Sequence, residues 1–169
     1  MSKQINKENS DQFWNSSIPG PLSIQNVVKE IISFMKTDEK MDYKLIIGSD
    51  SLLRSEKNAD FVTAIVIHKV GNGARYFWRR IEGKKKFHTL RDRMFEEVLM
   101  SLDIAEKVLE FARVFNAPKF SFEIHLDIGE KGPTRNVIQE LTGMIRAMNF
   151  EPKIKPMSFA ASNVADKHI

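Results

Sequence analysis

Two apolar segments of the sequence each end in an aspartate. Residues 43–50 (YKLIIGSD) end at Asp50, and residues 119–127 (KFSFEIHLD) end at Asp127. Aspartate is a poor strand residue and an unpaired buried carboxylate is costly, so another interaction must compensate for these positions. Taken alone, Asp50 also fits a residue that caps the following turn with help from Ser51. Two such strand ends in one chain favour a pair of carboxylates that share a cation.

The segments around these aspartates predict a mixed α/β domain. Helices are indicated where apolar residues recur at spacings of three and four, and strands where short runs are rich in β-branched and aromatic residues. Gly71-Asn72-Gly73 predicts a hairpin between the second and third strands. The expected order is helix 22–36, strands 43–50, 61–70 and 75–81, helix 89–115, strand 119–127, helix 134–148, strand 151–155 and a last helical segment capped by Ser162.

This order of elements predicts the fold. Three sequential antiparallel strands followed by helix-linked strands give a mixed five-stranded sheet with helices on both faces, plus the N-terminal helix. The ribonuclease H-like fold matches this order best, and its first and fourth strands are neighbours, which would bring Asp50 and Asp127 together. The length of 169 residues suits a single domain, which we place at residues 22–169 after a flexible N-terminal tail, residues 1–21.

The composition excludes several kinds of site. There is no cysteine, which rules out disulfides, iron–sulfur clusters, thiolate zinc sites and a cysteine nucleophile. The four histidines, His68, His88, His125 and His168, lack the regular spacing of a zinc site. The N-terminal residues show no apolar core of a signal peptide and no run is long enough to span a membrane, so we expect a cytoplasmic protein without a membrane partner.

The charge balance favours a polyanionic partner, since lysine and arginine outnumber aspartate and glutamate by 26 to 22. A basic stretch lies between residues 79 and 93, and a solvated hairpin and helix start explain it as well as phosphate contacts do. If the partner is nucleic acid, the expected backbone contacts are Arg79, Arg80, Lys84, Lys85, Lys86, Arg91, Lys153 and Lys155.

Several short motifs follow one another in a specific order. They are IIGSDS, an E-x-x-x-S-L pattern at residues 97–102, HLDIG, GPTRNVI, and KIKP followed by ASNVADKH. In order and spacing they resemble the YkuK-like family of predicted ribonuclease H-related nucleases, from about residue 22 to the last residue. The resemblance implies the ribonuclease H-like fold and a metal-dependent nuclease.

By the same resemblance, four acidic residues match the metal-binding carboxylates of such nucleases. They are Asp50 on the first strand, Glu97 on the first core helix, Asp127 ending the fourth strand and Asp166 on the last helix. A pair of Mg²⁺ or Mn²⁺ ions held there would activate water and stabilise the leaving oxygen of a phosphodiester in RNA, DNA or a hybrid. The sequence stops three residues after Asp166, so a short last helix is expected. No protein partner is indicated.

Polar neighbours of the aspartates are expected to support these ligands. They are Ser49, Ser51, His125 and His168. His125 lies two residues before Asp127 and projects from the same face of the strand, which allows it to contact the ligand or the metal. A buried, hydrogen-bonded histidine is the alternative.

Helix geometry distinguishes Glu97 from its neighbour Glu96. The apolar stripe of helix 89–115 must lie against the sheet, and Glu97 falls at the border of that stripe while Glu96 falls roughly opposite it. We therefore expect only Glu97 to reach the strand ends.

Two other functions remain open at this point. One is a non-catalytic nucleic-acid-binding protein that keeps the fold, which should tolerate loss of Asp50. The other is a metal-dependent phosphatase for small esters, which would not require a basic surface.

Overall fold

The computed structural model describes residues 13–83 and 85–169, so Lys84 and the first part of the predicted tail lie outside the described residues. The helices are α1 (Ile24–Lys36), α2 (Leu90–Val114) and α3 (Ile138–Ala147). The strands are β1 (Tyr43–Leu53), β2 (Ala59–Lys69), β3 (Ala74–Ile81), β4 (Ser121–Leu126) and β5 (Glu151–Lys153). Across these ranges no helix has the length and apolar character needed to cross a membrane.

The strands form one mixed sheet in the order β3-β2-β1-β4-β5. β1 and β2 are antiparallel, as are β2 and β3, whereas β4 runs parallel to both β1 and β5. This arrangement confirms the predicted α/β class, the five-stranded mixed sheet, and the adjacency of the first and fourth strands.

Side chains alternate along β1 and therefore enter two different layers. Leu45 and Ile47 pack into the main core with α1, α2 and α3, while Ile46 packs on the opposite face against Val66 and Ala160. Burying an aliphatic side chain of this size contributes roughly 1.5–3 kcal/mol. The three helices thus cover one face of the sheet, and the segment that begins at Ala160 covers part of the other.

β1 continues past Asp50 to Leu53, although the prediction ended the strand at Asp50. The reason is that β1 keeps pairing with β2, with Asp50 opposite Val62, after β4 has ended. The last pair between β1 and β4 is Ser49 with Leu126. Asp50 therefore lies where the sheet loses its β4 neighbour, and a gap opens beside it.

The last helical segment starts earlier than predicted. A π-helical turn spans Ala160–Ala165 and a short 3-10 turn spans Asp166–His168, so Ser162 lies inside the segment and does not begin it. The turn starts where the Ala160 N–H donates a hydrogen bond of 3.2 Å to Nδ1 of His125. A buried side chain from β4, rather than Ser162, therefore fixes the start of this segment.

The chain before α1 packs against the domain from Trp14 onwards. Trp14 is 1% exposed, and its backbone N–H donates to the carbonyl of Leu22 at 2.8 Å. Asn15 exchanges two backbone hydrogen bonds with Trp78 of β3, at 2.8 and 3.0 Å. The flexible tail predicted for residues 1–21 therefore does not include the residues from Trp14 onwards. They pack against the domain, and the Trp14 indole is part of the main core.

Candidate active site

The gap beside β1 places Asp50 near two other aspartates. The pKa of Asp50 is raised to about 6, mainly by burial, with smaller contributions from the charges of Asp127 and Asp166 and from a side-chain hydrogen bond with Asp166. The Ser51 N–H, which donates to Asp50 Oδ1 at 2.8 Å, acts in the opposite direction. The predicted approach of Asp50 and Asp127 is thus present, and Asp166 joins them from the C-terminal turn.

Glu97 reaches the same gap from α2. The helix begins after Thr89, whose side chain accepts a hydrogen bond from the Asp92 N–H at 3.0 Å and so fixes the helix start. Glu97 is buried and accepts a hydrogen bond from Ser51 Oγ. Its neighbour Glu96 instead lies 3.1 Å from Lys85 Nζ. The structure therefore orients α2 as the helical geometry predicts.

The electrostatic environment of Glu97 favours its protonated form. Burial raises its pKa to about 8, with further contributions from the charges of Asp50 and Asp127, while the Ser51 hydrogen bond and Arg93 lower it. Arg93 Nη1 also donates to the Ser51 carbonyl at 3.2 Å. Like charges held this close repel, and a proton or a cation relieves the repulsion.

Asp127 is held by a lysine from the segment after β5. Lys155 Nζ lies 2.9 Å from Asp127 Oδ1, and the Lys155 N–H donates to the Ile128 carbonyl at 2.8 Å. Within residues 13–83 and 85–169, no group of three or more histidine, aspartate or glutamate side chains is arranged so as to hold a metal ion. The carboxylates therefore lie within electrostatic range of one another without forming a ready-made cage.

These side chains line a cleft of about 340 Å³. Its walls carry three carboxylates, those of Asp50, Glu97 and Asp127. Three cationic side chains line it as well: Arg93, Lys131 and Lys155. Lys131 was not among the predicted binding residues, and Arg93 was included only as the end of the basic stretch 79–93. The available signals were the position of Arg93 one turn before Glu97 and the glycine-rich loop that follows Asp127 and contains Lys131.

The two serines near Asp50 both connect β1 to other elements. Ser51 donates to Glu97 as described, and Ser49 hydrogen bonds to Thr63 at 2.9 Å and to Ser101 at 2.8 Å. Ser101 lies one helical turn after Glu97 on α2. Ser49 thus fixes the position of the helix that carries Glu97, whereas Ser51 is the serine that hydrogen bonds to the Glu97 carboxylate.

His125 is fully buried beneath the C-terminal segment. Since its Nδ1 accepts the Ala160 N–H, its Nε2 carries the proton and donates to Glu123 Oε2 at 2.9 Å. Lys44 Nζ lies 2.9 Å from the other oxygen of Glu123. Burial lowers the pKa of His125, which keeps the ring neutral. This matches the alternative of a buried, hydrogen-bonded histidine, and it connects β4 to the segment that carries Asp166.

His168 occupies a different position from the other supporting residues. Its ring stacks on Trp78, with centroids 4.2 Å apart and an angle of 8° between the planes. A second ring contact, at 5.6 Å, joins it to Tyr76. His168 therefore fixes the C-terminal turn to β3.

The predicted nucleic-acid contacts are dispersed, and only one of those described lines the cleft. Lys155 lies in the cleft, and Lys153 is 3.6 Å from Glu151 on β5. Most of the others have partners elsewhere: Arg80 with Asp60, Lys85 with Glu96, Arg91 with Glu140, and Arg79 over the Trp14 ring, while Lys86 is exposed beside Asn58. The prediction for Lys84 falls outside the described residues.

The chain is similar to known proteins over all the elements that form the cleft. The ribonuclease H-like family model matches residues 26–169. The chain is 32% identical over 167 residues to a Bacillus subtilis (strain 168) protein described as uncharacterized protein YkuK, covering 92% of this chain and 95% of that protein. No solved structure matches the chain significantly. The matched region includes every position that contributes a carboxylate.

Proposed function

Since the chain belongs to the ribonuclease H-like family, in which it is similar to YkuK, we propose that it is a nuclease that hydrolyses nucleic-acid phosphodiester bonds with Mg²⁺ or Mn²⁺. One observation carries the proposal. β1, α2 and β4 bring Asp50, Glu97 and Asp127 into one cleft although their charges repel, and Asp166 approaches Asp50 from the C-terminal turn. A purely structural role does not require such an arrangement.

The donor set fits a hard divalent cation. All four side chains offer carboxylate oxygens, which Mg²⁺ and Mn²⁺ prefer. Burial is the main cause of the raised pKa values of Asp50 and Glu97, and the negative charge of neighbouring carboxylates adds to it. Lys155 forms an ion pair with Asp127, and Ser51 donates a hydrogen bond to Glu97. Metal binding would therefore require these two contacts to loosen.

Metal ions held by these carboxylates would supply an activated water and stabilisation of the leaving oxygen. Asp50 and Asp127 would hold them from adjacent strands, with Glu97 and Asp166 as further ligands. Because its pKa is about 8, Glu97 carries a proton at neutral pH and would have to release it in order to become a metal ligand. Arg93 and Lys131 line the same cleft and would contact the phosphate oxygens of the substrate.

A nuclease panel tests the proposal. The substrates are single-stranded RNA, single-stranded DNA, duplex DNA, an RNA–DNA hybrid and a small phosphodiester, each with Mg²⁺, Mn²⁺ or chelator. We expect metal-dependent cleavage of at least one nucleic acid, and its loss in Asp50→Asn purified in parallel. Cleavage that persists in Asp50→Asn, or an absence of cleavage on every substrate, would show the proposal to be wrong. Cleavage of the small ester alone would identify a phosphatase.

The contact between Lys155 and Asp127 favours one alternative, a metal-free nucleic-acid-binding protein. An ammonium group at 2.9 Å from Asp127 Oδ1 already compensates part of the negative charge that a metal would otherwise compensate. Such a protein should bind oligonucleotide equally well in chelator and in Mg²⁺, and Asp50→Asn should leave its affinity unchanged.

A further inference from the structure

A second cavity, of about 620 Å³, lies beside the carboxylate cleft and joins it. The two cavities share Gly129, Lys131 and Lys155 as common walls. A side chain at Gly129 would approach Lys155, since a Cβ built there would lie 3.4 Å from the Lys155 Cβ. We name the second cavity the β5 groove, because Pro152, Lys153 and the residues that follow β5 form one side of it.

The charge of the β5 groove is mostly positive. Lys131, Lys153 and Lys155 line it, and Glu130 is the acidic residue among its described lining residues. Lys131 is exposed, and Lys153 forms an ion pair of 3.6 Å with Glu151, whose side chain is exposed, so that solvent screens their attraction. Exposed ammonium groups spaced along a groove suit a chain of phosphates, since each neutralised phosphate releases bound counterions.

The floor and rim of the groove are apolar. Ile154, Pro156 and Met157 line it, and Met157 is 63% exposed. An exposed methionine is a flexible, polarisable contact for flat rings, including nucleobases. Base faces are available for such contacts only when the strand is unpaired, because pairing and stacking cover them in a duplex. Lysines beside apolar side chains therefore fit a single strand better than a duplex.

We propose that the β5 groove binds single-stranded nucleic acid, RNA or DNA, on its way into the carboxylate cleft. The phosphates contact Lys131 and Lys153, and bases pack on Met157. The substrate of the proposed nuclease is accordingly an unpaired strand. This inference rests on the proposed function for its link to cleavage, while the binding step itself needs no metal.

Binding measured in chelator tests the groove separately from cleavage. The probes are a fluorescein-labelled DNA strand of about 12 nucleotides, the same sequence in RNA, and the corresponding blunt duplex, followed by anisotropy. Met157→Ala is compared with Met148→Ala, because Met148 is also exposed but lies after α3, outside the groove. We expect Met157→Ala to weaken single-strand binding about three- to tenfold, and Met148→Ala to leave it within about twofold.

The charge contribution is tested by Lys131→Ala against Lys36→Ala, which removes an exposed lysine at the end of α1. Lys131→Ala should reduce the salt dependence of single-strand binding by about 0.7 in the slope of log affinity against log salt, the value of one lost phosphate contact. Lys36→Ala should leave the slope unchanged.

The outcomes separate the groove from the catalytic proposal. If the groove variants bind as their controls do, or if the duplex binds as tightly as the single strand, the groove proposal is wrong, whether or not the protein cleaves. If single-strand binding depends on Met157 and Lys131 while no substrate is cleaved with any metal, the groove is supported and the nuclease proposal fails. Dependence on these residues together with cleavage of single strands supports both.

Discussion

Lys155 Nζ and Asp127 Oδ1 form an ion pair of 2.9 Å at the edge of the carboxylate cleft. The lysine side chain is 51% exposed and the aspartate 26%, so solvent screens much of their attraction. A pair of this exposure contributes roughly 0–1 kcal/mol, which a divalent cation can overcome. In the proposed metal site, the lysine would therefore compete for Asp127 without blocking it.

Lys155→Met should raise the affinity for Mn²⁺ up to about fivefold, the equivalent of the pair's contribution of roughly 0–1 kcal/mol. Lys153→Met is the matched control, since it removes the same charge beside Glu151 and away from the carboxylates. The measurement is the rise in thermal midpoint on titration with Mn²⁺ relative to chelator, because a ligand of the native state stabilises it by mass action. An equal gain in Mn²⁺ affinity in both variants would attribute the effect to net charge alone. If Mn²⁺ fails to raise the thermal midpoint of the wild type, that result would contradict metal binding.

Glu97→Gln should abolish metal-dependent cleavage with little loss of stability, while Glu96→Gln should keep activity near that of wild type. The physical reason is that Glu97 is buried in the cleft, whereas Glu96 pairs with Lys85 near the surface. Such a surface pair contributes a few tenths of a kcal/mol at most. Activity is measured on the best substrate of the panel, and circular dichroism checks the fold. Full activity in Glu97→Gln would show that cleavage does not require the carboxylate that α2 contributes.

The stability of the metal-free protein should decrease as pH rises from about 6 to about 8. The pKa of Glu97 is raised from its ordinary value of 4.5 to about 8, so the folded state binds this proton more tightly than the unfolded state does. The resulting stabilisation is complete below 4.5, decreases as pH rises towards 8 and levels off above it. Asp50 contributes the same trend at lower pH, between 3.8 and about 6.

Glu97→Gln removes the titrating group and should flatten the decrease above pH 6, where Asp50 no longer contributes. Denaturant unfolding in chelator at several pH values measures the free energy of unfolding. Parallel profiles for wild type and Glu97→Gln would show that Glu97 is charged in the folded state at neutral pH.

His125→Phe should destabilise the protein by about 1–3 kcal/mol, because it leaves the Ala160 N–H and one oxygen of Glu123 without their buried partner. It should also reduce the metal-induced rise in thermal midpoint, since the Ala160 segment positions Asp166. His125→Asn keeps an acceptor near the position of Nδ1 and should restore part of both losses. A metal response as large in His125→Phe as in wild type would limit this histidine to a role in packing.

The sequence was sufficient to predict the approach of Asp50 and Asp127 because their strands have an apolar pattern and an order that make them neighbours. It was also sufficient for Glu97, since the rotation of an amphipathic helix follows from its apolar stripe. Both predictions depend on periodicity, which is a local property. Whether these residues bind metal remains a prediction.

Contacts between distant positions could not be predicted in the same way. Arg80 belonged to an apparent basic patch, but cross-strand pairing places it 2.7 Å from Asp60, which also binds Arg54. Counting charges along the sequence does not reveal such partners. Nor does any local pattern show that Trp14 completes the core. Trp14 and its neighbour Phe13 stand in an otherwise polar segment without apolar periodicity, yet only Trp14 is buried, because its burial depends on the space left beside β3.

The two backbone hydrogen bonds between Asn15 and Trp78 also affect the tendency of the protein to aggregate in concentrated solution. β3 is an outer strand of the sheet, and its free N–H and carbonyl groups are a template for pairing with another molecule. Asn15 occupies the middle of that template. The segment before α1 therefore protects this edge of the sheet against edge-to-edge aggregation, a role independent of the carboxylate cleft.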